Sequence, residues 1–231
     1  MDKTVPAGAA ILLDFIGQTE TGKSGHEGYG VIFANKQGKL TKPLTTLTLD
    51  EVIADQVRWS KNHGSSAAGR YQFTRATLRG LMSELGLRGS QKLDANLQDR
   101  LAYHLLKRRG YEGWTAGKIG DVEFAKRLAM EWASLPVLEA TQGQHRTLAA
   151  GQSFYAGDGL NKALVSPAKV REVLARARQA LGSPAPTEPR PIPTVPLPEP
   201  APSGGGAPGI LIFFLIVAAA LAACFIFGFR F

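Results

Sequence analysis

Cysteine is almost missing. Cys224 is the single thiol in a chain of 231 residues, which excludes an internal disulfide and any cysteine-built metal site within one chain. Histidine is scarce too: His26, His63, His104 and His145 form neither an HExxH pattern nor a tight pair. A metal enzyme is therefore not expected, and no metal or organic cofactor is called for. The N-terminus, MDKTVPAGAAILLDFIGQTE, lacks the features of an export signal. Its apolar run is short, Asp14 interrupts it, and no small-residue cleavage site follows. Strand-like alternation is also rare, confined to one stretch, so a sheet-based architecture is not expected.

Acidic residues are in deficit. Residues 1–182 hold 25 Lys and Arg against 17 Asp and Glu, leaving this part at +8. Such a surface favours an anionic partner, whether nucleic acid, phospholipid or a cell-wall polymer. The basic residues are dispersed and no readout motif accompanies them, so nucleic acid is not the expected partner.

Composition divides the chain. Residues 183–209 begin SPAPTEPRPIPTVPLPEP and loosen at Gly204–Gly206; so much proline forbids helix and sheet, and a semi-rigid linker is expected, reaching on the order of 80 Å at polyproline rise. Residues 210–229, ILIFFLIVAAALAACFIFGF, carry no charge. A helix of that length spans about 30 Å, the thickness of a bilayer's hydrocarbon, and a single transmembrane helix is expected. Residues 1–182 remain as one domain of ordinary core-forming composition.

Within that domain helix signals dominate. Ile11, Leu12, Phe15 and Ile16 recur at helical spacing ahead of Gly22. TLDEVIADQVRW opens with Thr48 and Glu51 at capping-box spacing. TRATLRGLMSELG carries a stripe of Leu78, Leu81, Met82 and Leu85 stopped by Gly86, and DANLQDRLAYHLLKRRG ends in basic residues before Gly110. Further helices are expected over 121–136 and from Ser166 and Pro167 onward. The one strand-like stretch is YGVIFANKQGKL, where Tyr29, Val31 and Phe33 alternate before a turn near Asn35–Gly38. The expected fold is α+β: mainly helical, with a small β-hairpin lobe and a cleft between hairpin and helices.

Glu20 sits at the end of the first helix, just before the hairpin. A carboxylate at the negative end of the helix dipole, partly buried, has its pKa raised. That is what a general acid needs to protonate a glycosidic oxygen near neutrality. A solvated helix-end residue is the bland alternative. A second unusual stretch, GSSAAGRYQF (64–73), crowds small residues ahead of Arg70, Tyr71 and Gln72.

The order of Glu20 after an apolar helix, then HEGYGVI (26–32), AGRYQ (68–72) and EWASLP (131–136), resembles the lambda-type phage endolysins and, more broadly, the lysozyme and lytic-transglycosylase superfamily. The resemblance spans roughly residues 10–138. It implies a lysozyme-like fold, cleavage of peptidoglycan glycan strands at the MurNAc–GlcNAc β-1,4 bond, and Glu20 as the acid. It also implies that the small residues around Ser66 let a glycan lie against backbone, with Tyr71 or Gln72 contacting the sugar. Tyr29 on the hairpin is a similar candidate, and Tyr155 in GQSFYAGDG (151–159) is a candidate to orient Glu20 or touch the sugar. Arg70 reads equally as a buried ion-pair partner, Tyr155 as a buried tyrosine with a satisfied hydroxyl, and Trp132 reads first as core.

A hydrolytic glycosidase normally uses two carboxylates. Glu27 is the candidate second acid, but Gly30 stands where the lambda-type pattern has an aspartate. A lytic transglycosylase manages with one acid, giving 1,6-anhydro-MurNAc products, and is the favoured reading. A hydrolytic muramidase using Glu27 and a non-catalytic wall-binding module are the alternatives. The expected setting is the bacterial inner membrane, with the domain acting in the periplasm or on the wall as a phage or prophage lysis protein. With no export signal expected at the N-terminus, the domain is expected either inside until the bilayer is breached or carried outward after synthesis, and Arg230 alone favours an internal C-terminus.

Overall fold

A computed structural model describes residues 1–181. The linker and the apolar segment 210–229 lie outside the described residues. Among the described residues no helix is long and apolar enough to cross a membrane.

Among the described residues seven α-helices carry the fold: α1 (Ala7–Thr21), α2 (Leu49–His63), α3 (Arg75–Leu85), α4 (Ala95–Arg108), α5 (Tyr111–Thr115), α6 (Asp121–Ala129) and α7 (Pro167–Leu181). Their ends follow the sequence signals. Gly22 closes α1 in the left-handed region at φ 66°, returning its N–H to the Gln18 carbonyl. Thr48 and Glu51 form the full capping box of α2, the Glu51 carboxylate accepting the Thr48 N–H at 2.8 Å. Asp94 caps α4 by accepting the Leu97 N–H at 2.8 Å, and Ser166 caps α7 by accepting the Lys169 N–H at 3.2 Å.

The buried faces meet in one core. Leu12, Leu13 and Ile16 of α1 pack with α7, which contributes Val170, Val173 and Leu174. Leu101 and Leu105 of α4 join Phe124 and Leu128 of α6. Each such side chain, fully buried, contributes about 1.5–3 kcal/mol of transfer free energy. Trp114 of α5, a helix the sequence did not announce, is fully buried and stacks on Phe124 with centroids 4.8 Å apart. Arg178 covers the other end of that aromatic group, its guanidinium 4.4 Å from the Trp114 ring and bonded to Asp121 at 2.8 Å.

The expected β-hairpin over residues 29–40 does not form. Gly25–Gly30, Phe33–Asn35, Gln37–Lys39 and Leu44–Thr46 are 3-10 turns. The alternation fails for a physical reason: Val31 and the adjacent Ile32 are both buried, while Phe33 points outward at 39% exposure. The chain then turns through Ala34 and Asn35, both at φ 56°. In place of a hairpin partner, residues 31–33 pair with the small-residue stretch. The Gly69 N–H donates to Val31 O at 2.8 Å and the Phe33 N–H to Ala67 O at 3.0 Å. The only regular sheet among the described residues is the pair β1 (Thr141–Gln142) and β2 (Thr147–Leu148), antiparallel. The domain is thus mainly helical with a two-stranded sheet, and the sheet lies elsewhere than expected.

A polar cluster at the start of α4 joins these parts. Gln98 is fully buried; its amide oxygen accepts the Arg70 N–H at 2.8 Å and its NH2 donates to the carbonyls of Tyr29 and Leu93. Its neighbour Asp99, equally buried, accepts the hydroxyls of Tyr29 at 2.8 Å and Tyr71 at 2.6 Å, and the Asp2 N–H at 2.6 Å. Gly69 must be glycine here: at φ 79° any Cβ would collide with the Gln98 side chain.

Candidate active site

Glu20 lies in the last turn of α1 and is half-buried. Its carboxylate faces the segment after α6, where EWASLP leaves the helix. There Ser134, 114 residues away, donates its hydroxyl to Glu20 Oε1 at 2.5 Å, and its backbone N–H donates to the same carboxylate. Burial pushes the Glu20 pKa above its ordinary 4.5, and the two Ser134 donors pull against that rise. The result is a carboxyl that holds its proton beyond the ordinary carboxylate range, with donors already aimed at the anion that proton loss creates.

Ser134 is itself held. Its carbonyl accepts the Leu164 N–H at 2.8 Å, the Ser153 hydroxyl donates to the preceding Ala133 carbonyl at 2.7 Å, and Pro136 bridges to Ser153. Tyr155 completes this clamp. Its hydroxyl donates to Met130 O at 2.6 Å, at the end of α6. Tyr155 is thus a half-buried tyrosine with a satisfied hydroxyl, and it braces the turn that carries Ser134. Trp132 is 3% exposed and belongs to the core.

The 64–73 stretch has a different role from the one its composition implies. Tyr71 is 1% exposed, with its hydroxyl on Asp99; burial and that carboxylate hold its phenol well above its ordinary pKa. It is a core residue and presents no face to a sugar. Tyr29 is corrected in the same way: it is buried with its hydroxyl on Asp99, and its phenol is likewise pushed up by burial and by Asp99. Ser66 is half-buried and works locally: its hydroxyl accepts the Arg75 N–H at 3.0 Å at the start of α3, and its carbonyl accepts from Gln56 at 2.7 Å. Gln72 is half-buried at φ 49°, with its amide returned to Gly69 O at 2.8 Å.

Arg70 takes the ion-pair role. It is 2% exposed, passes close to Gly17 and Gly28, and donates to the Asp14 carboxylate and the Gly25 carbonyl. Its guanidinium lies 5.0 Å from the Tyr29 ring. These contacts bracket Glu20 in sequence, one on α1 before it and one just after it, so the loop is tied to both sides of the acid. Glu27 stands apart: its side chain is 78% exposed and its partner is Lys23 at 3.8 Å. Among the described residues no group of three or more His, Cys, Asp or Glu could hold a metal ion.

Ser134 is the residue sequence reasoning passed over. It sits inside EWASLP, where Trp132 drew the attention, and only the fold brings it to Glu20. Replacing it gives a direct test. Glu20 is expected to act while protonated, so activity falls as pH rises through its pKa. Removing the Ser134 hydroxyl removes a donor to the anion, so in Ser134→Ala the alkaline limb of the kcat/KM profile moves to higher pH. The rate maximum is expected to fall about tenfold, the weight of one hydrogen bond to a charged group. An unmoved limb would show that Ser134 does not set the proton affinity of Glu20.

Residues 10–159, the span that holds both Glu20 and Ser134, match a family model described as Endolysin. The chain belongs to the endolysin family, the peptidoglycan-degrading lysis enzymes of phages. Among solved structures, the chain is similar to bacteriophage lambda lysozyme complexed with a chitohexasaccharide, with 22% identity, 76% of this chain and 94% of that chain covered, and a TM-score of 0.43. No curated protein matches the chain.

Proposed function

We propose that the chain is a lytic transglycosylase that cleaves the MurNAc–GlcNAc β-1,4 bond, with Glu20 acting first as acid and then as base. The observation that carries this reading is the contrast between the two carboxylates: Glu20 is half-buried against the Ser134 donors, whereas Glu27 projects into solvent beside Lys23. In the first step the Glu20 carboxyl gives its proton to the glycosidic oxygen as the C1–O bond breaks. The resulting carboxylate, stabilised by Ser134, takes the proton of the MurNAc C6 hydroxyl. That oxygen closes on C1, giving a 1,6-anhydro ring and regenerating the acid. No water is consumed, so no second carboxylate is needed to activate one.

The same proposal extends to the rest of the chain. Residues 1–182 form the catalytic domain, 183–209 the linker, and 210–229 a single membrane span that tethers the enzyme to the bacterial inner membrane, with the domain working on the wall. The uncharged composition of 210–229 supports this tether.

The test uses the full-length chain in detergent on purified peptidoglycan, with mass spectrometry of the released fragments. Fragments ending in 1,6-anhydro-MurNAc, each lighter by one water than a hydrolysis product, are expected. Reducing-end MurNAc would instead make the enzyme a hydrolase. No release from the walls of several bacteria, despite a folded domain, would leave a wall-binding module.

A further inference from the structure

The turn that replaces the expected hairpin builds a pocket whose lining includes neither Glu20 nor Ser134. Residues 32–40 and the last turns of α2 enclose a cavity of about 510 Å³, with Ile32, Leu40 and Trp59 beneath and Lys36, Lys39, Arg58, Asn62 and His63 around it. Trp59 is 4% exposed and Ile32 1%, so the floor is firm. Arg58 shares its charge with Asp55 at 2.9 Å. Among the described residues neither Lys36 nor Lys39 has an acidic partner, whereas the nearby Lys42 pairs with Glu51 at 3.4 Å. The lysines are set on a strained backbone: Ala34 and Asn35 immediately before them are both at φ 56°, a left-handed conformation that costs a residue with a side chain and persists only where the surroundings enforce it.

We propose that this pocket binds the carboxylates of the acidic stem peptide carried by the glycan strand. The proposal rests on the reading of peptidoglycan as the substrate. It deepens that reading by making peptide-bearing strands, not bare glycan, the preferred ligand. The chain also links this pocket to the segment that carries Glu20. The two walls of the pocket are the segments that enter the 64–73 stretch: residues 31–33 pair with 67–69, and His63 is followed directly by Gly64. Arg70 then ties that stretch to Asp14 of α1 and to Gly25 beyond it, one on either side of Glu20 in sequence. On this proposal a strand held for cleavage at Glu20 places a stem peptide at the pocket. Unpaired lysines offer the carboxylates point charges, and the Trp59 and Ile32 floor suits the methyl groups of a short peptide.

The experiment measures binding of the chain carrying Glu20→Gln, so that strands are not consumed, to three probes: peptide-bearing glycan strands, the same strands stripped of peptide by an amidase, and vesicles of anionic phospholipid. Binding of the peptide-bearing strands is expected to be about tenfold tighter, the effect of two partly exposed ion pairs, and to weaken with salt. Lys36→Ala/Lys39→Ala is expected to erase the difference. Both lysines are exposed, and an unchanged thermal midpoint shows that the variant is folded. Equal binding of the two strands, or a preference that survives the double substitution, overturns the proposal. So does an effect of the double substitution confined to anionic lipid vesicles, which would make the pocket a membrane contact. A peptide preference in this assay beside a wild-type chain that releases no fragments would sink the enzymatic reading and leave the pocket standing.

Discussion

Glu20→Gln is expected to lower the rate of glycan cleavage by 10²–10⁴-fold, the span that a positioned general acid contributes. The glutamine occupies the same space and can still accept from Ser134, but it has no proton to give to the leaving oxygen and no carboxylate to take one from C6. The loss therefore falls on kcat, with little change in KM, because strand binding does not depend on the transferred proton. Folding moves the other way. Burial raises the Glu20 pKa above 4.5, so between that value and the raised pKa the folded state binds the proton more tightly than the unfolded chain. Stability contributed by this group is complete below the unfolded pKa and is lost as pH rises through the folded one. The glutamine has no such loss. The unfolding midpoint of Glu20→Gln is expected to equal or exceed that of the wild type at neutral pH, with a gap that narrows toward pH 4.5. Retained cleavage in a folded variant would remove Glu20 from the chemistry; a collapsed midpoint would mean that Glu20 holds the fold.

The helices were legible because their signals are local. Thr48 and Glu51 lie three residues apart, Gly22 and Gly86 terminate apolar stripes, and the structure uses each as the sequence reads. The place of Glu20 in the last turn of α1 was legible for the same reason, but the neighbours that surround its carboxylate were not. What could not be read are pairings across long separations. Tyr29 and Tyr71 have the composition of ligand readers, but their hydroxyls belong to Asp99, 70 and 28 residues away. Ser134 looks like filler in a tight turn until α6 delivers it to Glu20. The alternation of Tyr29, Val31 and Phe33 is genuine, yet the buried Ile32 between them breaks its meaning, and its partner proved to be residues 67–69. A period-two pattern reports which faces are apolar, not which segment will cover them.

Asp99→Ala is expected to be the most destabilising single change among these residues, costing about 3–5 kcal/mol. Asp99 joins three separate pieces of chain: the N-terminal segment through the Asp2 N–H, the first 3-10 turn through Tyr29, and the 64–73 stretch through Tyr71. Alanine leaves all three donors facing a dry core, since Tyr29 and Tyr71 are 4% and 1% exposed, and a buried donor without a partner forfeits its full desolvation cost. For a domain of this size a loss of that magnitude lowers the thermal midpoint by roughly 10 °C, and in urea it moves the midpoint with the slope unchanged. Tyr71→Phe separates bridging from packing. It removes one donor and its bond together and keeps the ring against Phe73, so it is expected to cost only about 1 kcal/mol. If Asp99→Ala costs no more than Tyr71→Phe, the three segments are held by their apolar packing and the carboxylate is incidental. If the expected gap appears, the effect reaches the active site, because the same stretch carries Arg70, whose bonds to Asp14 and Gly25 bracket Glu20. Cleavage by Asp99→Ala should then fall below wild type even at temperatures where it remains folded.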